Sequence, residues 1–147
     1  MLYITSDHGG YELKTKLINL FKKAGVKITD LGPSEFLEDD DYPKYAKKLA
    51  EKMSQNTEYS RGIILCRNGV GVSMAMNRFE HIRCALSWSP KHAKSSRKDD
   101  NTNVLALPAD YVSYSEAKNI IGAWLNTSFS KQERHVRRLS ELEDILK

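Results

Sequence analysis

The sequence predicts an α/β fold: one domain built on a doubly wound parallel sheet of five strands. Short apolar runs rich in β-forming residues recur along the chain, and longer stretches of helical period separate them, which is the pattern of βα units around a parallel sheet. At 147 residues the chain has the length of about one domain, enough to build a core without staples. No internal repeat or linker interrupts it, so residues 1–147 are read as a single domain.

The strands are expected at about 2–6, 26–31, 62–66, 82–87 and 103–107. Between the first two, Tyr11, Leu13, Leu17, Ile18, Leu20 and Phe21 lay an apolar stripe along a helix that stops at Gly25, a residue suited to the left-handed C′ position. A second helix begins at Asp41-Tyr42-Pro43, where Asp caps and Pro suits the first turn, and ends near Met53. Further helices are expected at about 70–78, 90–97, 113–126 and 133–146, the last carrying Val136, Leu139, Leu142 and Ile145 or Leu146 toward a core or a partner. Right-handed crossovers make 2-1-3-4-5 the simplest strand order. In that order ligands bind beyond the carboxyl ends of strands 1 and 3, at Ser6-Asp7-His8-Gly9-Gly10 and at Cys66-Arg67-Asn68-Gly69-Val70-Gly71-Val72-Ser73.

Composition narrows the function classes. Hydrophobic residues at 40% and charged residues at 29% exclude disordered and low-complexity chains. Apolar runs such as Ile63-Ile64-Leu65-Cys66 are too short to span a bilayer, and the amino end lacks the features of a secretion signal, so a cytoplasmic protein without a membrane partner is expected. Two cysteines without C-x-x-C spacing give neither a disulfide framework nor structural zinc. The net charge is +4, from 23 Lys and Arg against 19 Asp and Glu. The charges are interleaved apart from the basic Arg134-His135-Val136-Arg137-Arg138 and the acidic Glu38-Asp39-Asp40-Asp41, which suits one small anion better than a nucleic acid.

The crevice residues admit several chemistries. In Gly69-Val70-Gly71-Val72-Ser73 the backbone amides face an anion at the start of a helix, or else simply make a tight turn; Met74 replaces the third glycine of a dinucleotide fingerprint, and no Gly-Lys-Ser/Thr ending makes a P-loop. Cys66, ending a strand against these amides, sits where a thiolate pKa is lowered, and is a candidate nucleophile or base. A low-molecular-weight phosphatase needs an Arg where Val72 stands, and a receiver domain needs Asp in place of Cys66. Cys84 reads as a buried core thiol. Asp7 and His8 form either a turn and cap or a catalytic pair. Arg134 and Arg138, four apart with Arg137 nearby, share a helix face that is either solvated or converges on a phosphate.

Taken together, Ser6-Asp7-His8-Gly9-Gly10, Asp41-Tyr42-Pro43, the 62–66 strand, Gly69-Val70-Gly71-Val72-Ser73 with Asn77, Ser96-Arg97, Thr102-Asn103-Val104-Leu105-Ala106 and the terminal Arg-x3-Arg resemble the type B ribose-5-phosphate isomerases and the related galactose-6-phosphate isomerase subunits, in the same order along nearly the whole chain. The resemblance implies a Rossmann-like α/β/α subunit, a homodimer or dimer of dimers, no metal or other cofactor, and aldose–ketose isomerisation of a sugar phosphate. It implies that Cys66 is the base moving a proton between C1 and C2, and that the amides of Gly69, Val70, Gly71 and Ser73 hold the enediolate oxygen. It also implies substrate contacts at Asp7, Tyr42 and Asp100, and phosphate contacts at His8, Arg134 and Arg138.

Three stretches depart from the family pattern. Cys-Gly-Thr/Ser-Gly is here Cys66-Arg67-Asn68-Gly69; Arg-x-His-Asn-Asp is Arg97-Lys98-Asp99-Asp100-Asn101; and Gly-x-Arg after strand 5 is Pro108-Ala109-Asp110. Asp99 is therefore expected to act as the ring-opening base with Asn68 donating to the ring oxygen, and His92 is a second candidate. The loop around residue 99 precedes strand 5, at the sheet edge opposite Cys66, and reaches an active site most easily from a partner chain. The alternative readings are a phosphosugar-binding or regulatory subunit with weak or lost catalysis, a hexose 6-phosphate isomerase, and a nucleic-acid binder using residues 134–138.

Overall fold

The computed structural model describes residues 1–56 and 58–145; Leu146, one of the apolar positions expected on the last helix, lies outside the described residues. The elements are β1 (Leu2–Ser6), a 3-10 turn (His8–Gly10), α1 (Tyr11–Lys23), β2 (Thr29–Asp30), α2 (Tyr42–Ser54), β3 (Arg61–Cys66), α3 (Val70–Met76), β4 (Cys84–Leu86), α4 (Pro90–Asp100), β5 (Val104–Pro108), α5 (Tyr114–Leu125) and α6 (Glu133–Asp144). Among the described residues no helix is long and apolar enough to cross a membrane.

All five strands are parallel, in the order β2-β1-β3-β5-β4. This corrects the expected 2-1-3-4-5. Every residue of β5 is buried, whereas the three-residue β4 is half-buried throughout. The longer, wholly apolar strand takes the slot covered on both faces, and the short one takes the edge. Cys84 is accordingly half-buried on an edge strand, not enclosed in the core. Asn77 supports that edge, donating from Nδ2 to the Cys84 carbonyl (3.0 Å) and accepting the Cys84 N–H at Oδ1 (2.8 Å).

Alternation along the strands divides the core into two layers. Ile4, Ile63, Leu65, Leu105 and Leu107 pack with Leu13, Leu17 and Phe21 of α1, Ala93 of α4, and Ile120, Ile121 and Trp124 of α5. Tyr3, Ile64, Cys66, Val104 and Ala106 face Ala46, Leu49, Ala50 and Met53 of α2 and Val72 and Met76 of α3. Cys66 thus belongs to the α2/α3 side of the sheet.

Local boundaries follow backbone chemistry. Gly25 takes φ +69° at C′ of α1, with its N–H donating to Lys22 O (3.1 Å) and that of Val26 to Phe21 O (2.9 Å), a Schellman ending. β2 shrinks from the expected 26–31 to two exposed residues because only its register with Tyr3 and Ile4 pairs at this edge. Asp41 stands at the N-cap of α2, but its side chain makes no capping bond. α3 ends at Met76, two residues before the expected limit. Residue 99 lies not in a loop but in the last turn of α4, which runs on to Asp100 and closes at Asn101 with φ +48°. Several motif residues are architectural there. Arg97 is buried and donates from Nη1 to Asn101 Oδ1 (2.9 Å) and Thr102 O (2.6 Å), and Trp124 Nε1 donates to Thr102 Oγ1 (2.9 Å).

Candidate active site

The sheet brings the first group of expected site residues together. β1 and β3 run side by side, Ser6 level with Leu65, and Asp7 N–H donates to Leu65 O at 3.2 Å, so the turn after β1 lies against the turn after β3. Gly10 is required at this crossing: a Cβ there would stand 2.5 Å from that of Leu65. Asp7 is buried and accepts the Gly10 N–H (3.2 Å), capping the short 3-10 turn; burial pushes its carboxyl pKa up.

Cys66 ends β3 with its sulfur turned back into the following turn, where it accepts the Gly69 N–H at 3.1 Å. Gly69 holds the turn open with φ +74°. Asn68 Oδ1 accepts the Val70 N–H (3.0 Å) and lies 3.9 Å from the Cys66 sulfur. The expectation of a lowered thiol pKa is reversed: burial pushes it up, and the amides of Val72, Gly69 and Asn68 only partly offset burial and the nearby negative Asp7. These amides favour the thiolate within a site that otherwise keeps the thiol protonated. Ser73 is committed inside α3, its N–H to Gly69 O (3.2 Å) and its hydroxyl to Val70 O (2.8 Å). Gly71, in the first turn of α3, carries a backbone N–H that the helix does not satisfy itself. The Tyr42 ring roofs this turn: a Cβ on Gly71 would come within 2.7 Å of Tyr42 Cζ.

His8 is held by Asp40, a residue hidden in what reads as a solvated acidic run. One Asp40 oxygen accepts both the His8 backbone N–H (2.8 Å) and ring Nδ1 (2.7 Å), while the carboxylate is enclosed. The Asp40 hydrogen bond raises the His8 pKa above its usual value, outweighing the desolvation that lowers it. Burial works against the Asp40 charge, but the bonds from His8 and Tyr45 together leave its pKa lowered. Burial and Asp40 in turn push the Tyr45 hydroxyl up to about 12.

The second group lies elsewhere in the chain. Asp99, Asp100, Arg134 and Arg138 line a groove of about 950 Å³ with His92, Cys84, Leu86, Leu139, Leu142 and Ile145. Asp99 precedes β5, whereas Cys66 is level with Pro108 at the end of β5. The length of β5 alone separates them by about 13 Å along the strand direction. The separation is between opposite ends of the sheet, not opposite edges. α6 is pinned to the end of α4 by Ser130 N–H donating to Lys98 O (2.8 Å) and by buried His135, whose Nδ1 lies 2.7 Å from Ser130 Oγ and 3.8 Å from Asp99 Oδ1. His135 is the one buried residue of α6 among those described, while Val136, Leu142 and Ile145 are exposed, so the expected stripe is not packed into this subunit's core; its Leu139, Leu142 and Ile145 line the open groove instead. His92 stacks on exposed Trp88 with ring centroids 4.4 Å apart.

The model of the Ribose/Galactose Isomerase family matches residues 2–142. The chain belongs to this family. It is 38% identical over 141 residues to the probable ribose-5-phosphate isomerase B of Mycoplasma genitalium, covering 96% of this chain and 92% of that one. It is 34% identical over 143 residues to ribose-5-phosphate isomerase B of Mycobacterium tuberculosis, covering 97% and 88%. The crystal structure of the Mycoplasma genitalium enzyme with bound ribulose-5-phosphate superposes with a TM-score of 0.93 at 36% identity, over 99% of this chain and 95% of that one.

Within this ribose/galactose isomerase, the sequence did not point to Asp40 or Tyr45 as neighbours of the crevice. Asp40 was masked by its acidic neighbours, since a run of like charges signals solvation unless one member is known to turn inward. Only its place two residues before Tyr42 hinted at the site. Tyr45 was hidden by its position on the apolar face of α2.

Proposed function

We propose that the protein is an aldose–ketose isomerase that interconverts ribose 5-phosphate and ribulose 5-phosphate, with Cys66 as the base. The observation that carries this reading is the Cys66 sulfur held at 3.1 Å from the Gly69 amide, beside buried Asp7, in a chain of the ribose/galactose isomerase family. In the forward direction the thiolate takes the proton from C2 of the open-chain aldose and returns it to C1, while a proton passes from the C2 hydroxyl to the carbonyl oxygen on C1. The intermediate is an enediolate, and the first-turn amide of Gly71 faces its developing charge. Thiolate formation against a raised pKa is the energetic cost of a buried base: fewer sites carry the thiolate, and each thiolate is a stronger base toward the carbon-bound proton.

Two copies complete the site in this reading. The groove with Asp99, Asp100, Arg134 and Arg138 supplies a partner copy's crevice with the ring-opening carboxylate and two phosphate-binding guanidiniums, and α6 with its exposed apolar residues lies at the dimer contact. Asn68 supports ring opening from the Cys66 side, because with Oδ1 engaged its Nδ2 hydrogens remain to donate to the ring oxygen. Remote binding energy on the phosphate then orients C1 and C2 against the sulfur.

The test is proton NMR of purified protein in deuterated water with ribose 5-phosphate, allose 6-phosphate and galactose 6-phosphate. Ribulose 5-phosphate formation with solvent deuterium entering C1 is the expected result. Tight sugar-phosphate binding without turnover or exchange would identify a binding subunit instead, and turnover confined to a hexose phosphate would reassign the substrate.

A further inference from the structure

The residue after the proposed base carries a charge that the mechanism above does not use. Arg67 sits between the two loops that border the crevice. On one side its aliphatic stem crosses the backbone of the β1 turn, so closely that a Cβ on Gly9 would collide with Arg67 Cγ. On the other side the β5 turn is stitched to it in register, Ala109 N–H donating to Cys66 O (2.9 Å) and Asp110 N–H to Arg67 O (2.9 Å). The guanidinium Nη1 lies 3.7 Å from Asp110 Oδ2, with the Arg67 side chain 64% exposed. Its positive field also acts on the His8 ring, opposing His8 protonation. Asp40 is enclosed behind His8 and Asp7 is buried, whereas Arg67 and its partner Asp110 both stand in solvent at this mouth.

Two cations directed at one mouth repel each other, and the repulsion is relieved by an anion that both contact. A guanidinium offers a planar pair of donors to phosphate oxygens and is charged at every working pH. We propose that Arg67 is a substrate-binding residue that grips the phosphate of the sugar phosphate together with His8, the phosphate displacing Asp110 as the partner of the guanidinium. This rests on the reading of the crevice as a sugar-phosphate site. The competing role for Arg67 is a surface bridge to Asp110 that merely ties the β3 and β5 turns.

Three variants separate these roles: Arg67→Ala, Arg67→Lys and Asp110→Asn, each read by calorimetric titration with inorganic phosphate and by KM and kcat for ribose 5-phosphate. Arg67→Ala is expected to weaken phosphate binding and raise KM by about tenfold or more, the usual scale for one charge-assisted contact, with kcat changed by less than about threefold. Arg67→Lys should recover part of the loss. Asp110→Asn, which breaks the bridge but keeps the guanidinium, should leave phosphate affinity equal or tighter. Unchanged affinity in Arg67→Ala, or an equal loss in Asp110→Asn, overturns the proposal. Because phosphate binding is measured without turnover, Arg67-dependent binding by a wild-type protein that isomerises nothing would overturn the isomerase reading alone. Isomerisation with Arg67-independent affinity would overturn this proposal alone.

Discussion

The imidazole of His8 and the carboxylate of Asp40 meet at 2.7 Å, and the same carboxylate oxygen also takes the His8 backbone N–H at 2.8 Å. One buried acid therefore fixes both the main chain and the ring orientation of a residue at the mouth of the crevice, and keeps that ring cationic to higher pH. With Nδ1 engaged, Nε2 is left to face a ligand.

This pairing has a defined pH signature. His8 has a raised folded-state pKa, so its contribution to stability is complete below the unfolded value and is lost as pH rises through the folded one. Asp40 has a lowered pKa, so its contribution is present above its unfolded value and lost as pH falls through the folded one. The melting-temperature difference between wild type and Asp40→Asn should be largest at about pH 4.5–6, between the ordinary Asp and His values, and shrink at higher pH. NMR titration of His8 in Asp40→Asn should give a midpoint below that of wild type; an unmoved midpoint would show that Asp40 does not set the charge.

Cys66→Ser should cut kcat by about a hundredfold or more, since a hydroxyl is far too weak an acid to ionise in a site whose burial already opposes a thiolate. The melting temperature should change little because the replacement is nearly isosteric. In wild type, kcat/KM should rise with pH through neutrality as the thiolate forms, while phosphate affinity falls once His8 loses its proton. Near-wild-type turnover in Cys66→Ser would remove the thiol from the mechanism.

Gly71→Ala forces a methyl to within 2.7 Å of Tyr42 Cζ, where the ring has to yield. The expected cost is about 1–3 kcal/mol of stability from overpacking, together with a raised KM. Combining it with Tyr42→Ala should restore much of the melting temperature but not the KM, which separates the steric conflict from the substrate contact. Equal melting curves for Gly71→Ala and wild type would refute the close approach.

Cys66→Ala and Arg134→Ala should each be nearly inactive alone, yet regain about a quarter of wild-type activity when unfolded and refolded as an equimolar mixture, because random pairing leaves one intact composite site in each mixed dimer. Failure of a folded, dimeric mixture to regain activity would place both residues in one chain's site or Arg134 outside it.

Asp99→Asn and Asn68→Ala should slow turnover of cyclic ribose 5-phosphate more than turnover of an open-chain substrate. Equal losses on both, or no loss, would exclude a role in ring opening.

Most of the fold was legible because it rests on local pattern. Alternating apolar runs and helical stripes such as Leu13, Leu17 and Phe21 depend on neighbours in sequence, and so does the Gly25 helix ending. The crevice residues Asp7, His8 and Cys66 were legible for a related reason, since parallel strands deliver their carboxyl-end turns to one rim. The sequence also marked position 110 as an acid where the family carries an arginine, but the guanidinium of Arg67 lying beside it emerged only once β5 was placed against β3.

What the sequence by itself determined was therefore the class of fold, the family, and the rim on which the proposed base sits. The tertiary structure alone decided the order β3-β5-β4, the inward turn of Asp40, and the raised pKa of Cys66. Each depends on how completely a group is enclosed by residues distant in sequence. Enclosure sends the all-apolar β5 to the interior of the sheet, supplies Asp40 with a partner 32 residues away, and makes desolvation outweigh the amides around a thiol that would otherwise ionise more readily.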